Sequence, residues 1–263
     1  MCMRDFTLHK WCSLLCALRR AGYVFLSFED YLTAEQLPEK FVILRHDIDC
    51  ITAEALHIAR LEHSLNVRAT YYFRTNDKQN MPAIMQAISG LGFDVGYHYE
   101  DVTASNGDIR KAYRRFVDNV TYCRQYAPIR TVCMHGNPWS RYDEKTLWLH
   151  YDFHESGIIG EPYLNTDFTD VFYLTDTGRR WDGYNVSVRD KIPVQQQIWL
   201  RRGWHYHSTE DILSALSSGT FPHHVMLTAH PQRWHDRWLP WLYEWGRQHM
   251  VNIVKRILVW LRK

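Results

Sequence analysis

Phe41-Val-Ile-Leu-Arg-His-Asp-Ile-Asp49 is the stretch on which the fold turns. Up to His46 it is short, bulky and apolar, the pattern of a strand buried on both faces. Residues 52–65 follow with Ala53, Ala55, Leu56, Ile58 and Ala59 at helical spacing. The pattern then repeats. Residues 69–74 read as a strand, 81–91 as a helix, 93–98 as a strand, 108–126 as a helix and 130–135 as a strand. Strand and helix in regular alternation predict parallel βαβ units, an α/β fold. Upstream, Trp11, Leu14, Leu15 and Leu18 predict a helix that stops at Gly22. Downstream the pattern degrades over 136–202, which reads as loops and short strands. A helix over 208–216 and a strand over 224–230 follow, and 234–263 is helical, with Pro240 placed as the first residue of a new helix.

No repeat, low-complexity tract or linker divides the chain. It reads as a single domain over 1–263, with 1–40 a helical lead-in and 234–263 closing helices. Hydrophobic residues at 46% and charged residues at 23% exclude a disordered chain. A formal charge of +2 with no basic block argues against a protein that grips nucleic acid. Six cysteines without a C-x-x-C pair exclude a disulfide scaffold and a zinc ribbon and read as free thiols. The first twenty residues lack a secretory pattern, and no apolar run approaches the roughly 18 residues of a membrane span. The expectation is a cytoplasmic protein. The surplus of Trp, Tyr and His suits a core and a sugar-binding cleft equally.

Four histidines end predicted strands: His46, His98, His135 and His230. In parallel α/β folds that end carries the ligand site, so convergence is the expectation. Asp47 and Asp49, two apart in extended backbone, point to one face while His46 and Ile48 point to the other. Paired carboxylates repel unless a cation or a proton lies between them, so one can ligate a metal while the other takes a proton from water. A helix N-cap would explain Asp49 alone and leave Asp47 without a reason.

With these residues in place the chain resembles the polysaccharide deacetylase family of metal-dependent carbohydrate esterases, in its Arg-His-Asp-x-Asp branch. The resemblance rests on "RHDID" at 45–49, "ATYYF" at 69–73, "GYHYE" at 96–100, "GRRWDG" at 178–183 and "LTAHPQRW" at 227–234. It implies a distorted (β/α) barrel with fewer than eight units. It further implies that Asp47 is the general base, Asp49 and His98 are metal ligands, and His230 is the general acid. Asp182 would orient His230, and Trp181 would line the cleft.

One departure stands out. The family places a second metal-binding His four residues after the first, and here that position is Val102. If the site works, a third ligand comes from His135, the favoured candidate, or from Glu100; otherwise the metal site is not intact. Imidazole suits a first-row divalent ion, zinc foremost. Arg45 and Arg180, with Arg179, are candidates to hold a substrate phosphate or carboxylate, or equally to pair with site carboxylates. Trp234, Trp238, Trp241 and Trp245 share helical spacing and read as a face packed on the barrel. The competing reading is peripheral membrane contact through the C-terminal helix, helped by Arg247, Lys255, Arg256, Arg262 and Lys263.

These readings combine into a metal-dependent hydrolase that removes an N-acyl group, acetyl first, from a sugar or sugar-nucleotide precursor of a surface polysaccharide. The rivals are a non-catalytic carbohydrate-binding protein on the same fold and an amidohydrolase acting on a non-sugar amide.

Overall fold

The computed structural model describes residues 4–50, 53–183, 187 and 191–261. Helix α1 (Leu8–Arg20) is capped by the Thr7 side chain and buries Trp11, Leu14, Leu15 and Leu18, the stripe its spacing predicts. Strand β1 (Val24–Leu26) and helix α2 (Phe28–Thr33), opened by a Ser27/Asp30 capping box, complete the lead-in. The lead-in is therefore not helical throughout. A three-residue strand is too short to show a period, and this one is legible only through its pairing.

Strand β2 (Phe41–Ile48) is buried along its whole length. It is followed by α3 (Ala53–Ser64), β3 (Thr70–Phe73), α4 (Met81–Gly90), β4 (Asp94–Tyr99), the short α5 (Asp101–Ala104), α6 (Ile109–Cys123) and β5 (Ile129–Met134). After a loop region come α7 (Pro162–Asn165), β6 (Phe172–Thr175), α8 (Pro193–Arg201), α9 (Thr209–Ser218), β7 (His224–Ala229) and α10 (Trp238–Leu261). Helices α7 and α8 stand where the sequence reads as loops and short strands. Each opens on a proline, Pro162 or Pro193, at a position where the missing N–H costs nothing. A residue that reads as a loop signal is here a helix start. Pro240 likewise lies in the first turn of α10, which is a single helix.

Among the described residues seven parallel strands form one sheet, six of them in the order β5-β4-β3-β2-β7-β6. Strand β1 pairs with 41–43 of β2, leaving 45–48 for β3. Helices flank this sheet, and among the described residues no strand pairing joins β5 to β6. Because every strand runs the same way, all the residues that follow strand ends emerge at one edge.

Two close contacts fix that edge. A side chain at Gly96 in β4 would come within 2.3 Å of the Tyr72 ring and 2.8 Å of the Thr131 carbonyl, so only glycine lets the three strands approach there. On the opposite face from Asp47, His46 Nε2 meets Glu62 Oε1 at 2.8 Å. Glu62 also accepts from Trp11 Nε1 (2.9 Å) and Tyr71 Oη (2.6 Å) in a fully buried cluster. His46 is thus a structural histidine, as the alternation of β2 requires.

Candidate metal and acid–base site

The site assembles from the C-terminal strand ends outward. Asp47 lies inside β2, and both of its oxygens accept from Arg45, two residues earlier on the same face, at 3.0 Å from Nε and 2.8 Å from Nη2. The pair is bidentate and buried. Arg45 also donates to Tyr163 Oη (3.1 Å), with its guanidinium 4.9 Å from the centre of that ring. Arg45 therefore positions Asp47 and has no exposed surface to offer a substrate, contrary to the substrate-binding reading.

Asp49, just beyond β2, sends Oδ1 towards two imidazoles. His98 Nε2 is 3.6 Å away and His135 Nε2 is 3.4 Å away. Oδ1 is buried and has no hydrogen-bond partner. One donor atom from each of the three residues lies within 4.8 Å of the others. The His98 imidazole is committed at its other nitrogen, and the His135 imidazole faces a carboxylate there. His98 Nδ1 is 2.9 Å from the Cys133 carbonyl, which fixes Nδ1 as the N–H and leaves Nε2 a lone pair. His135 Nδ1 is 3.2 Å from Glu100 Oε1. Burial raises the Asp49 carboxyl, but the imidazoles of His98, His135 and His230 around it hold it well below the usual range.

A buried, ionised, unpartnered oxygen facing two imidazole nitrogens, that of His98 with its tautomer fixed, fits a divalent cation. Glu100 stands behind His135, where it also accepts from Asn137 Nδ2 (2.5 Å) and pairs with Arg74. Burial raises its carboxyl, yet His135 and Arg74 bring it down to about 2. Val102 is buried, and its backbone N–H donates to Glu144 Oε2 (2.8 Å). A second potential set, Asp47, His98 and Cys133, shares His98, but both Asp47 oxygens already accept from Arg45.

Across the mouth, His230 follows β7 with Nε2 at 3.8 Å from Asp49 Oδ2. Its Nδ1 is 2.6 Å from Asp176 Oδ1, and its backbone N–H donates to Asp176 Oδ2 (2.9 Å). Asp176 also accepts from Arg233 Nη1 (2.6 Å) and Trp234 Nε1 (2.8 Å). Burial raises Asp176, and the charges of Arg233 and His230 outweigh it and bring the carboxyl below its ordinary value. Burial and Arg233 pull the His230 imidazole down, but Asp176 and Asp49 outweigh them, so it lies above its ordinary value.

Asp176 is absent from the sequence reading, although it obeys the same rule as the other site residues. It directly follows a strand, β6, in a region whose pattern looked irregular. Asp182, the residue expected to orient His230, pairs instead with Arg180 (2.6 Å from Nη2) and His207 (3.2 Å from Nδ1). That pairing takes Arg180 as well, so neither residue borders the mouth. Trp181 is buried, donates to Thr209 Oγ1 (2.9 Å) and packs against Phe6 and Trp234. It belongs to the core, not to the cleft.

Asp47, Asp49, His98, His135 and His230 line one cavity of about 80 Å³. Sharing Asp49, His135, Pro138 and Arg233 with it is a groove of about 650 Å³ that runs along α10 past Trp139, Tyr243 and Arg247.

No family profile matches the sequence, and no curated protein does. Among solved structures the chain is similar to a family 4 carbohydrate esterase from Bacillus anthracis, at 12% identity over 93% of this chain and 84% of that one, with a TM-score of 0.42. It is also similar to a mutant of a CE4 family pseudoenzyme with restored enzymatic activity, at 12% identity, 84% and 65% coverage and a TM-score of 0.43. A family 4 carbohydrate esterase of Bacillus subtilis matches at 12% identity, 82% and 75% coverage and a TM-score of 0.38. At these values the likenesses carry none of the argument for the site, whose chemistry rests on the side chains that build it.

Proposed function

We propose that the protein is a metal-dependent hydrolase that removes an N-acyl group, acetyl first, from a sugar or sugar-nucleotide precursor. The observation that carries this reading is Asp49 Oδ1, buried and unpartnered between His98 Nε2 and His135 Nε2, with a proton-handling residue on either side. Asp49, His98 and His135 would hold the ion, and two imidazoles with one carboxylate suit zinc. When bound, a divalent ion lowers the pKa of water and polarises a carbonyl.

The remaining chemistry belongs to the chain. Asp47, held by Arg45, has a further lone pair on each oxygen with which to take a proton from the attacking water. His230, whose proton affinity Asp176 raises against burial and Arg233, delivers a proton from Nε2 to the departing amine, without which an amide leaving group is very poor. Asp176 Oδ1 anchors Nδ1, so the imidazole cannot turn its reactive nitrogen away.

A sugar class of substrate is supported by the groove, whose size falls within the range of ligand sites. It offers the exposed Trp139 and Tyr243 rings beside polar Asn137, Arg74 and Glu244. The cysteines at 12, 16, 50, 123 and 133 are free thiols, which supports a reducing compartment and a cytoplasmic precursor. Among the described residues no helix is long and apolar enough to cross a membrane.

The test is metal content and deacylation of N-acetyl sugars by wild type and Asp49→Ala. The reading expects one equivalent of divalent ion in wild type, and loss of ion and activity together in the variant. Metal-free wild-type protein that binds glycans without turnover would favour a carbohydrate-binding role, and turnover of simple amides alone would remove the sugar.

A further inference from the structure

Helix α10 is turned inside out. A surface helix normally buries its apolar stripe and shows water its polar side. In α10 the inward positions are held by Glu244 (5% exposed) and Gln248 (3%), with Pro240, Trp241, Val251 and Asn252 partly buried beside them. Leu239 (76% exposed), Leu242, Tyr243 (73%), Met250 (66%) and Ile253 point outward. The outward positions 239, 242, 243, 250 and 253 recur at helical spacing, so they form one continuous strip. Trp238, Trp241, Trp245 and His249 stack along its border, with successive ring centroids 5.5, 6.4 and 4.2 Å apart.

The inward side is satisfied as it stands. Glu244 accepts from Arg247 at 2.7 Å, Gln248 donates to Asn252 Oδ1 at 2.9 Å, and Asn252 donates to the Gly178 carbonyl at 2.9 Å. Rotating the helix to hide the apolar strip would break the Asn252–Gly178 bond and carry Glu244 and Gln248 out to solvent. The inversion is therefore built in, and a contiguous exposed apolar strip of this kind marks a contact surface.

We propose that the outward face of α10 docks on the surface of an anionic lipid bilayer. Charge selects this occupant. Residues 238–263 hold five basic side chains, Arg247, Lys255, Arg256, Arg262 and Lys263, against one acid, Glu244, and that acid is already paired with Arg247. Apolar residues at helical spacing with tryptophans and lysines or arginines are the composition of a helix lying in the plane of a membrane interface. Docking also places the groove beside the bilayer, because Tyr243 and Arg247 of α10 line it.

The proposal is independent of the hydrolase reading, since binding is measured without substrate. The full chain is sedimented with vesicles of mixed phosphatidylglycerol and phosphatidylcholine and with vesicles of phosphatidylcholine alone. Wild type should pellet with the anionic vesicles and be released by salt. The doubly substituted chain Leu239→Gln, Met250→Gln, both on exposed positions, should bind at least about tenfold more weakly at unchanged melting temperature. The doubly substituted chain Lys255→Gln, Arg256→Gln checks the charge contribution should the first double variant melt early, and it too should bind more weakly. Wild type that stays in the supernatant, or variants that bind as wild type does, would overturn the proposal. A dimer in solution that the double variant dissociates, with no vesicle binding, would assign the face to a second copy instead.

Discussion

Asp176→Asn is the sharpest perturbation of the site, because the carboxylate takes four hydrogen bonds and an amide can take only half of them. Oδ1 receives His230 Nδ1 and Arg233 Nη1, while Oδ2 receives the His230 backbone N–H and Trp234 Nε1. Whichever way the amide turns, its NH2 faces two donors. Each buried group left unmatched costs about 1–3 kcal/mol, so the variant should melt lower but still fold. The catalytic effect is separable from this. His230 lies above its ordinary value because Asp176 and Asp49 outweigh the burial and Arg233 that pull it down. Without the Asp176 charge, burial and Arg233 gain the upper hand. As a general acid His230 acts below its pKa, so the basic limb of the rate profile must move to lower pH. Loss of a positioned acid costs about 10²–10⁴ in rate on an amide. The assay is a pH–rate profile on an N-acetyl amide and on an activated ester, with metal content measured alongside. The ester should suffer least, because its leaving group needs no proton. Asp182→Asn, which disturbs Arg180, His207 and His205 and makes no contact with His230, should leave the limb where it is. An unmoved basic limb in Asp176→Asn, or a shift in Asp182→Asn, would refute the assignment.

Three further outcomes follow from the geometry. Glu100→Gln should weaken divalent-ion affinity by about 10–100-fold in a competition titration, and His135→Ala should weaken it more; the reverse order would make Glu100 the ligand. Gly96→Ala drives a methyl to within 2.3 Å of the Tyr72 ring and should cost about 1–3 kcal/mol in a denaturant melt, whereas an unchanged midpoint would mean the strands can part. Asp101 and Glu161 are both raised to about 7, first by burial, so between the ordinary carboxylate range and 7 the fold binds protons that the unfolded chain has lost. Their contribution makes stability fall as pH rises through that window and level off above it, and Asp101→Asn should flatten the slope seen by thermal melts.

Much of this was legible in the sequence because β2 to β5 are separated by helices of ordinary length, and bulky strands alternate with them without interruption. The strand-end rule then located Asp47, Asp49, His98, His135 and His230 together, since parallel strands have no other way to present their C-terminal residues. The rule failed only where the strand itself was not recognised. Strand β6 has four residues and is followed by a loop rich in Arg and Gly, so Asp176 was passed over for Asp182, six residues on, which sits beside the more conspicuous Trp181. Burial was the other thing hidden. Arg45, Arg180 and Trp181 carry the right chemistry for substrate, but each spends it on a neighbour. The closing helix was misread for a related reason. Its tryptophans have helical spacing in any orientation, and spacing alone does not say which side faces the protein.

The pattern of partners around the mouth is itself an argument for a cation. Asp47 has Arg45, His98 has the Cys133 carbonyl and His230 has Asp176. Each of these side chains is oriented by a second group, which costs desolvation that packing alone would not require. Asp49 is different. Gln232 donates to its Oδ2 at 3.2 Å, and its Oδ1, buried and ionised, is left without a hydrogen bond at the one point on which His98 and His135 converge. A buried anionic oxygen with no donor is costly to fold and has no structural use. With a divalent ion bound, the same oxygen and the two imidazole lone pairs would all be satisfied at once. A buried anionic oxygen without a donor thus lies at the position where the proposed chemistry needs its metal.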